Sequence, residues 1–173
     1  MRKLICDKAI RIAKSKKQIE EKFGVRIRLA GREVEIDGKP EDEYIAEMFV
    51  QALNFGFPFS TALLIKDEEF MFEAMNIKDY TKRRDLAIIR ARLIGKNGGT
   101  LRALTELTKC HFEVKGNEVG IVGDAEKIKN ANDALISLIH GAKQSNVYAL
   151  LEKRHPLPII DLGLKPVKKK TEG

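Results

Sequence analysis

Apolar and polar positions along this chain switch repeatedly between two periods. In Val25-Arg26-Ile27-Arg28-Leu29 every second residue is apolar, the spacing of a strand with one buried face. Gly31-Arg32 makes a tight turn, Val34 and Ile36 resume the alternation, and Asp37-Gly38 ends it. Helical spacing flanks this pair. Leu4-Ile5-Cys6 reads as a short strand, and Asp7 is placed to cap a helix that buries Ile10, Ala13, Ile19 and Phe23 and stops at Gly24. Pro40-Glu41-Asp42-Glu43 opens the next helix, with proline in the first turn and acids at the positive end of the dipole. Ile45, Met48, Phe49 and Ala52 form its apolar face, and Asn54-Phe55-Gly56 ends it.

Pro58 and Ser60 open a short helix through Ala62 and Leu63, and Asp67-Glu68-Glu69 breaks the pattern. Residues 70–77 are apolar-rich and fit a strand or a helix, with the strand favoured near their end. From Arg83 a helix carries Leu86, Ile89 and Leu93 on one side and Arg84, Arg90 and Arg92 on the other. A glycine stretch interrupts it, after which Leu101, Leu104 and Leu107 resume helical spacing. Phe112 and Val114 alternate in a strand, Gly116-Asn117 turns, and Val119 and Ile121 form the next strand. Asp124 is an N-cap for a helix burying Ile128, Ala131, Leu135 and Leu138, with Gly141 at its C-terminal end. Residues 147–151 predict a last helical piece before a tail with three prolines and Lys168-Lys169-Lys170. That composition favours an extended, mobile tail, whose lysine run is either a solvated terminus or an auxiliary RNA contact.

The second half repeats the first at a constant offset. Gly31 falls on Gly116, Val34 on Val119, Ile36 on Ile121, Gly38 on Gly123, Ile19 on Leu104 and Ile27 on Phe112. Both halves read helix, strand, tight turn, strand, helix, so two copies of one α/β unit are the simplest account. In that register Gly95-Lys96-Asn97-Gly98 lies opposite Ile10-Arg11-Ile12-Ala13, which contains no glycine.

The stretch Ile94-Gly95-Lys96-Asn97-Gly98-Gly99-Thr100 is the strongest candidate for chemistry. Glycines permit φ > 0 and close approach of another backbone, and a loop opening a helix offers N–H groups and a positive dipole end to phosphate. Lys96 adds charge, Asn97 a neutral donor, and Arg90, Arg92 and Arg102 flank it, while Ile94 and Leu101 would wall a groove for unstacked bases. Three readings fit: a nucleic-acid clamp, a nucleotide-binding P-loop, or a plain turn between helices. The P-loop is the poorest, because GxxxxGK[ST] after a strand is missing.

Charge strengthens the first reading. Of 173 residues, 32 are Lys or Arg and 25 Asp or Glu, a net charge of +7 that favours a polyanionic partner. Two cysteines, Cys6 and Cys110, without a CxxC pair, and three scattered histidines, argue against zinc or a disulfide framework and fit a reducing compartment. No nucleophile–base pattern occurs, so no enzyme, metal or cofactor is predicted. No apolar run approaches a membrane span, and the N-terminus has no signal-peptide core.

The glycine stretch, set in this repeat, resembles the GxxG loop of KH domains. Thr100-Leu101-Arg102-Ala103-Leu104 with Leu107-Thr108-Lys109-Cys110 looks like the segment that follows in Krr-type small-subunit assembly proteins. Ile139-His140-Gly141-Ala142 with Val147-Tyr148, and Ala52-Leu53-Asn54-Phe55-Gly56-Phe57 with Ala62-Leu63, resemble the end of the second KH domain and the joint between domains in archaeal partner-of-Nob (Dim-type) proteins. The resemblance implies an α/β (α+β) fold of two tandem type I KH domains packed side by side: a degenerate one over 1–65, one with the RNA loop over 66–152, and a basic tail over 153–173. It implies a cytoplasmic, non-enzymatic factor in small ribosomal subunit maturation that binds single-stranded rRNA near its 3′ end through Arg90, Arg92, Ile94, Gly95, Lys96, Asn97, Gly98, Thr100, Leu101 and Arg102. It also implies a Nob-type endonuclease and the alpha subunit of an initiation factor as partners. The alternative is a scaffold that recruits such a nuclease or factor, with RNA binding secondary.

Overall fold

A computed structural model of the chain describes residues 1–67 and 69–154. The expected mobile tail over 153–173 lies outside these apart from Lys153 and Arg154, which belong to the last helix.

In the first unit, β1 (Arg2–Ile5) leads through residues 6–8 into α1 (Ala9–Phe23), followed by β2 (Arg26–Ala30), β3 (Glu33–Asp37) and α2 (Pro40–Phe55). The sheet order is β1-β3-β2, all antiparallel. Val34 and Ile36 face inward and are fully buried, and Ile27 is nearly so. Alternate residues on the far side are mostly charged: Lys3 bridges Glu33 and Glu35 across it. α1 and α2 cover the inner side, burying Ile12, Ile19, Phe23, Phe49 and Leu53.

Two local expectations are corrected here. The buried face of α1 is Ile12-Ile19-Phe23, and Ile10 is 73% exposed with Ala13 also on the surface. Asp7 does not cap α1. Its carboxylate pairs with Arg32 and lies 3.4 Å from Lys115 Nζ in the second unit. Those two cations hold it below the usual carboxylate range, Lys115 contributing most.

A four-residue helix, α3 (Phe59–Ala62), and a 3₁₀ turn over Leu63–Lys66 lead into the second unit. Its elements are β4 (Phe70–Asn76), α4 (Leu86–Ile94), α5 (Gly99–Thr108), β5 (His111–Lys115), β6 (Glu118–Asp124), α6 (Ala125–Ile139) and α7 (Gln144–Arg154). The ambiguous stretch after residue 69 is therefore a strand. α4 begins at Leu86 rather than Arg83, since Arg83 is drawn into an ion pair with Asp85 ahead of the helix. Asp124 caps α6 as expected, accepting from the Glu126 N–H at 2.9 Å.

The second sheet has the order β4-β6-β5, the same pattern as β1-β3-β2. The repeat holds at the level of partners: Leu29 opposes Val34 as Val114 opposes Val119, and Ile27 opposes Ile36 as Phe112 opposes Ile121. It breaks before α5. The second unit inserts α4 and a glycine loop where the first passes from β1 into α1, and the Ile10-Arg11-Ile12-Ala13 slot is an ordinary helical turn.

The central strand of the second sheet, β6, is buried on both faces. Val119 and Ile121 join the core beneath α4, α5 and α6, whereas Val122, Phe72 and Phe70 belong to the core of the first unit. Gly120 sits against the joint between units: a Cβ there would lie 2.8 Å from the Phe55 ring and 2.9 Å from that of Phe57. Phe55, Phe57 and Phe72 form one aromatic cluster, with centroids 5.7–6.1 Å apart. The near-continuous run Val-Gly-Ile-Val-Gly over residues 119–123 follows from this, because a strand covered on both faces has no polar side to alternate.

Candidate nucleic-acid interface

α4 ends where its buried stripe of Ile89 and Leu93 runs out and Gly95 turns the chain at φ 75°, ψ 173°. A single 3₁₀ turn over Lys96–Gly98 follows, with Asn97 (φ 54°) and Gly98 (φ 73°) both left-handed, and α5 starts at Gly99. The Gly95 N–H bonds Ala91 O at 2.8 Å, and the Gly98 N–H bonds Gly95 O at 3.2 Å. The first turn of α5 holds no acid, so its positive end faces this loop unneutralised.

The two glycines of the motif serve different purposes. A Cβ on Gly95 would lie 2.2 Å from Thr100 Oγ1 and 2.6 Å from Thr100 N, so the loop closes over the start of α5 only with glycine there. Nothing lies within 4 Å of a Cβ on Gly98. That position is open to solvent, and its glycine meets the need for positive φ while leaving room for another backbone.

The remaining predicted residues divide into two sets. Lys96 and Asn97 are exposed at the apex, and Arg102, one turn into α5, donates Nη2 to Asn97 O at 2.7 Å, bracing the apex from outside. Ile94 and Leu101 are half-buried at the loop's two roots. Thr100 and Arg92 are turned toward the rest of the unit. Thr100 is buried, and Arg92 donates Nη1 to Leu138 O at 3.2 Å and Nη2 to Ala142 O at 2.6 Å. Arg90 reaches the β5–β6 turn, donating to Asn117 Oδ1 at 3.3 Å. The structure thus gathers Lys96, Asn97, Gly98 and Arg102 at the apex, ties Arg92 and Thr100 to the α6–α7 connection, and turns Arg90 to the β5–β6 turn.

Sequence reasoning missed Arg11. It donates Nη1 to Leu53 O at 2.8 Å and Nη2 to Phe57 O at 2.9 Å, at the end of α2. In the register of the repeat these acceptors are the counterparts of Leu138 O and Ala142 O, which Arg92 takes. The available signal was an arginine inside an apolar slot, Ile10-Arg11-Ile12, but its acceptors lie more than forty positions away.

Other reactive side chains are placed for packing. Cys6 and Cys110 are buried thiols, and burial pushes Cys110 up to about 11. Burial also lowers His111. Among the described residues no cluster of His, Cys, Asp and Glu could hold a metal ion, and no helix is long and apolar enough to cross a membrane.

Comparison with known proteins agrees with this geometry. Residues 71–156 match the family model of the second KH domain of PNO1, a eukaryotic-type (type I) KH domain. A KH domain-containing protein of Methanocaldococcus jannaschii is 32% identical over 145 residues, covering 80% of this chain and 64% of that protein. The RNA-binding protein pno1 of Drosophila pseudoobscura is 33% identical over 138 residues, covering 75% of this chain and 58% of that one. The chain therefore spans roughly three-fifths of the length of these relatives. A crystal structure of the a/eIF2α–aDim2p–rRNA complex from Pyrococcus horikoshii matches with a TM-score of 0.80 at 28% identity, over 88% of this chain and 92% of that one. On sequence and fold together, the chain belongs to the PNO1/Dim2 family of KH-domain proteins.

Proposed function

We propose that this protein binds single-stranded ribosomal RNA through the glycine loop of its second unit and acts in maturation of the small ribosomal subunit, near the 3′ end of its rRNA. The observation that carries the reading is the open αL position at Gly98, beside exposed Lys96 and Asn97 and at the positive end of α5. A phosphodiester backbone can approach there without meeting a side chain, and N–H groups and charge converge on it. Lys96 supplies the charge at the phosphate, Asn97 a neutral donor, and Arg102 holds the apex and adds a second positive group. Ile94 and Leu101 line the floor on which bases lie, and Arg90, held at the β5–β6 turn, takes no part at the loop. Arg92 and Thr100 support the loop from within. The names of relatives agree: one is an RNA-binding protein, and another was crystallised with rRNA.

The first unit offers no such loop, and in this reading it serves as frame and docking platform. The alpha subunit of the archaeal initiation factor is a candidate partner, since it accompanies the Pyrococcus relative in its RNA complex. A Nob-type endonuclease is a second candidate, so that the protein guides cleavage without performing it.

The test is the double substitution Lys96→Asp, Asn97→Asp. Both side chains are exposed, so stability should stay within about 0.5 kcal/mol. Affinity for single-stranded RNA should fall about tenfold or more, as one phosphate contact becomes repulsion. Unchanged affinity at moderate salt would overturn the proposal. Crosslinking to RNA in cells checks the finer claim, with contacts expected at the 3′ end of the small-subunit rRNA.

A further inference from the structure

The connection between α6 and α7 holds both flanks of the glycine loop. On the α4 side it presents the two carbonyls, Leu138 O and Ala142 O, that receive the Arg92 guanidinium three residues before Gly95. On the α5 side, Gln144, the first residue of α7, donates Nε2 to Thr100 Oγ1 at 3.4 Å. That hydroxyl is the atom that lies over Gly95. The connection is itself shaped by local bonds: the Gly141 N–H goes to Leu138 O at 3.1 Å, and the Ala142 N–H to Ser137 O at 3.0 Å. α7 is anchored beyond it by Val147 and Leu151, both buried in the second core.

We infer that residues 138–144 form a positioning device for the RNA loop, and that Arg92 and Gln144 act on RNA only through it. This rests on the RNA-binding reading above. Three observations support a supporting rather than contacting role for Arg92. Both of its terminal nitrogens are engaged by backbone carbonyls, it is half-buried, and it is turned to the α6–α7 connection while Lys96 and Asn97 are exposed at the apex. A planar fork between two carbonyls is also a geometry that lysine cannot reproduce. The consequence is a mechanical link: a displacement of α7 is felt at Gly95 by way of Thr100 and Arg92, so whatever seats α7 sets the shape of the RNA site.

Four variants of the full chain separate this from its rivals: R92K, R92M, Q144A and K96A. Each is titrated with one short fluorescein-labelled single-stranded RNA over a range of salt, and each is recorded without RNA by amide NMR. If Arg92 positions the loop, R92K and R92M both weaken binding by about tenfold, the worth of one charge-assisted hydrogen bond. Neither then changes the slope of log K against log salt. K96A lowers that slope by about 0.7, as loss of one phosphate contact to a single strand should. The Gly95, Gly98 and Gly99 amides shift in R92K and, to a smaller extent, in Q144A. Near-wild-type affinity in R92K together with a reduced slope in R92M would mean that Arg92 contacts phosphate, which overturns the inference. Q144A removes one weak contact and carries the test if either Arg92 variant fails to fold. Because the amide shifts are read without RNA, failure of the RNA reading leaves this link separately decidable. Unmoved loop amides in both R92K and Q144A refute it.

Discussion

The end of α2 and the end of α6 are held in the same way by arginines from different places. Arg11 reaches Leu53 O and Phe57 O from the first turns of α1; Arg92 reaches the matching carbonyls, Leu138 O and Ala142 O, from α4. α4 has no counterpart in the first unit, where β1 passes into α1 within three residues. The helix-end clamp is thus common to both copies, and the unit that receives it from an additional helix is the one with space for a glycine loop before its next helix. In the first unit the same arginine belongs to the helix that fills that space. The unit with the candidate RNA loop differs from the one without it by an inserted helix and turn and by the longer α7 in place of α3, on a sheet of the same strand order.

The largest effect should come from breaking the seam that joins the two. Gly120→Val puts atoms into a place already within 2.8 Å of Phe55 and should cost about 3 kcal/mol or more, the upper range for an overpacked core. Urea unfolding should show one transition at a lower midpoint; an unchanged midpoint would mean that the seam is slack. Next, Arg11→Met removes both bonds to the end of α2 and should cost about 1.5–3 kcal/mol, the range for hydrogen bonds to a charged group. It should leave RNA affinity untouched, and this is where it parts from the Arg92 variants. Equal losses of RNA binding in R11M and R92M would erase the distinction drawn between the two clamps. The smallest effect belongs to Asp7, which links the units through Lys115. Its carboxyl is held below the usual range in the folded protein, so its contribution is present above the unfolded value of about 4. It fades as pH falls through the lower folded value. Wild type and Asp7→Asn should therefore differ slightly in melting temperature at neutral pH and low salt and converge in acid. A difference that grows in acid contradicts the assigned link.

Much of the frame is readable in the residues. The alternation in 25–36 and 112–121, the turns at Gly31 and Gly116, the Asp124 cap and the offset between the halves all appear as strands, turns, cap and repeated pairing, because each is set by neighbours in sequence. Errors arise where distant partners decide. Ile10 and Ile12 compete for the face of α1, and the seven-then-four spacing of Ile12, Ile19 and Phe23 wins because it meets α2. Asp7 is a plausible cap until Arg32 and Lys115 arrive from other strands. At the site, Lys96, Asn97, Gly98 and Arg102 gather as the spacing suggests, but Arg92 looks like a surface cation until the carbonyls of α6 are in place. Gly120 carries no message in sequence, since the rings that forbid a side chain there belong to the other unit.

The strand around Gly120 has a further consequence. β6 is the central strand of its sheet, with α4, α5 and α6 on one side and the aromatic joint of the first unit on the other. Its amide protons have no partial opening through which to exchange: freeing either face means dismantling one whole unit. In deuterated water, β6 should hold its protons longest and release them at the rate of global unfolding. A chain built from two copies of one unit would then keep a single clock, and that clock sits in the strand the copies share.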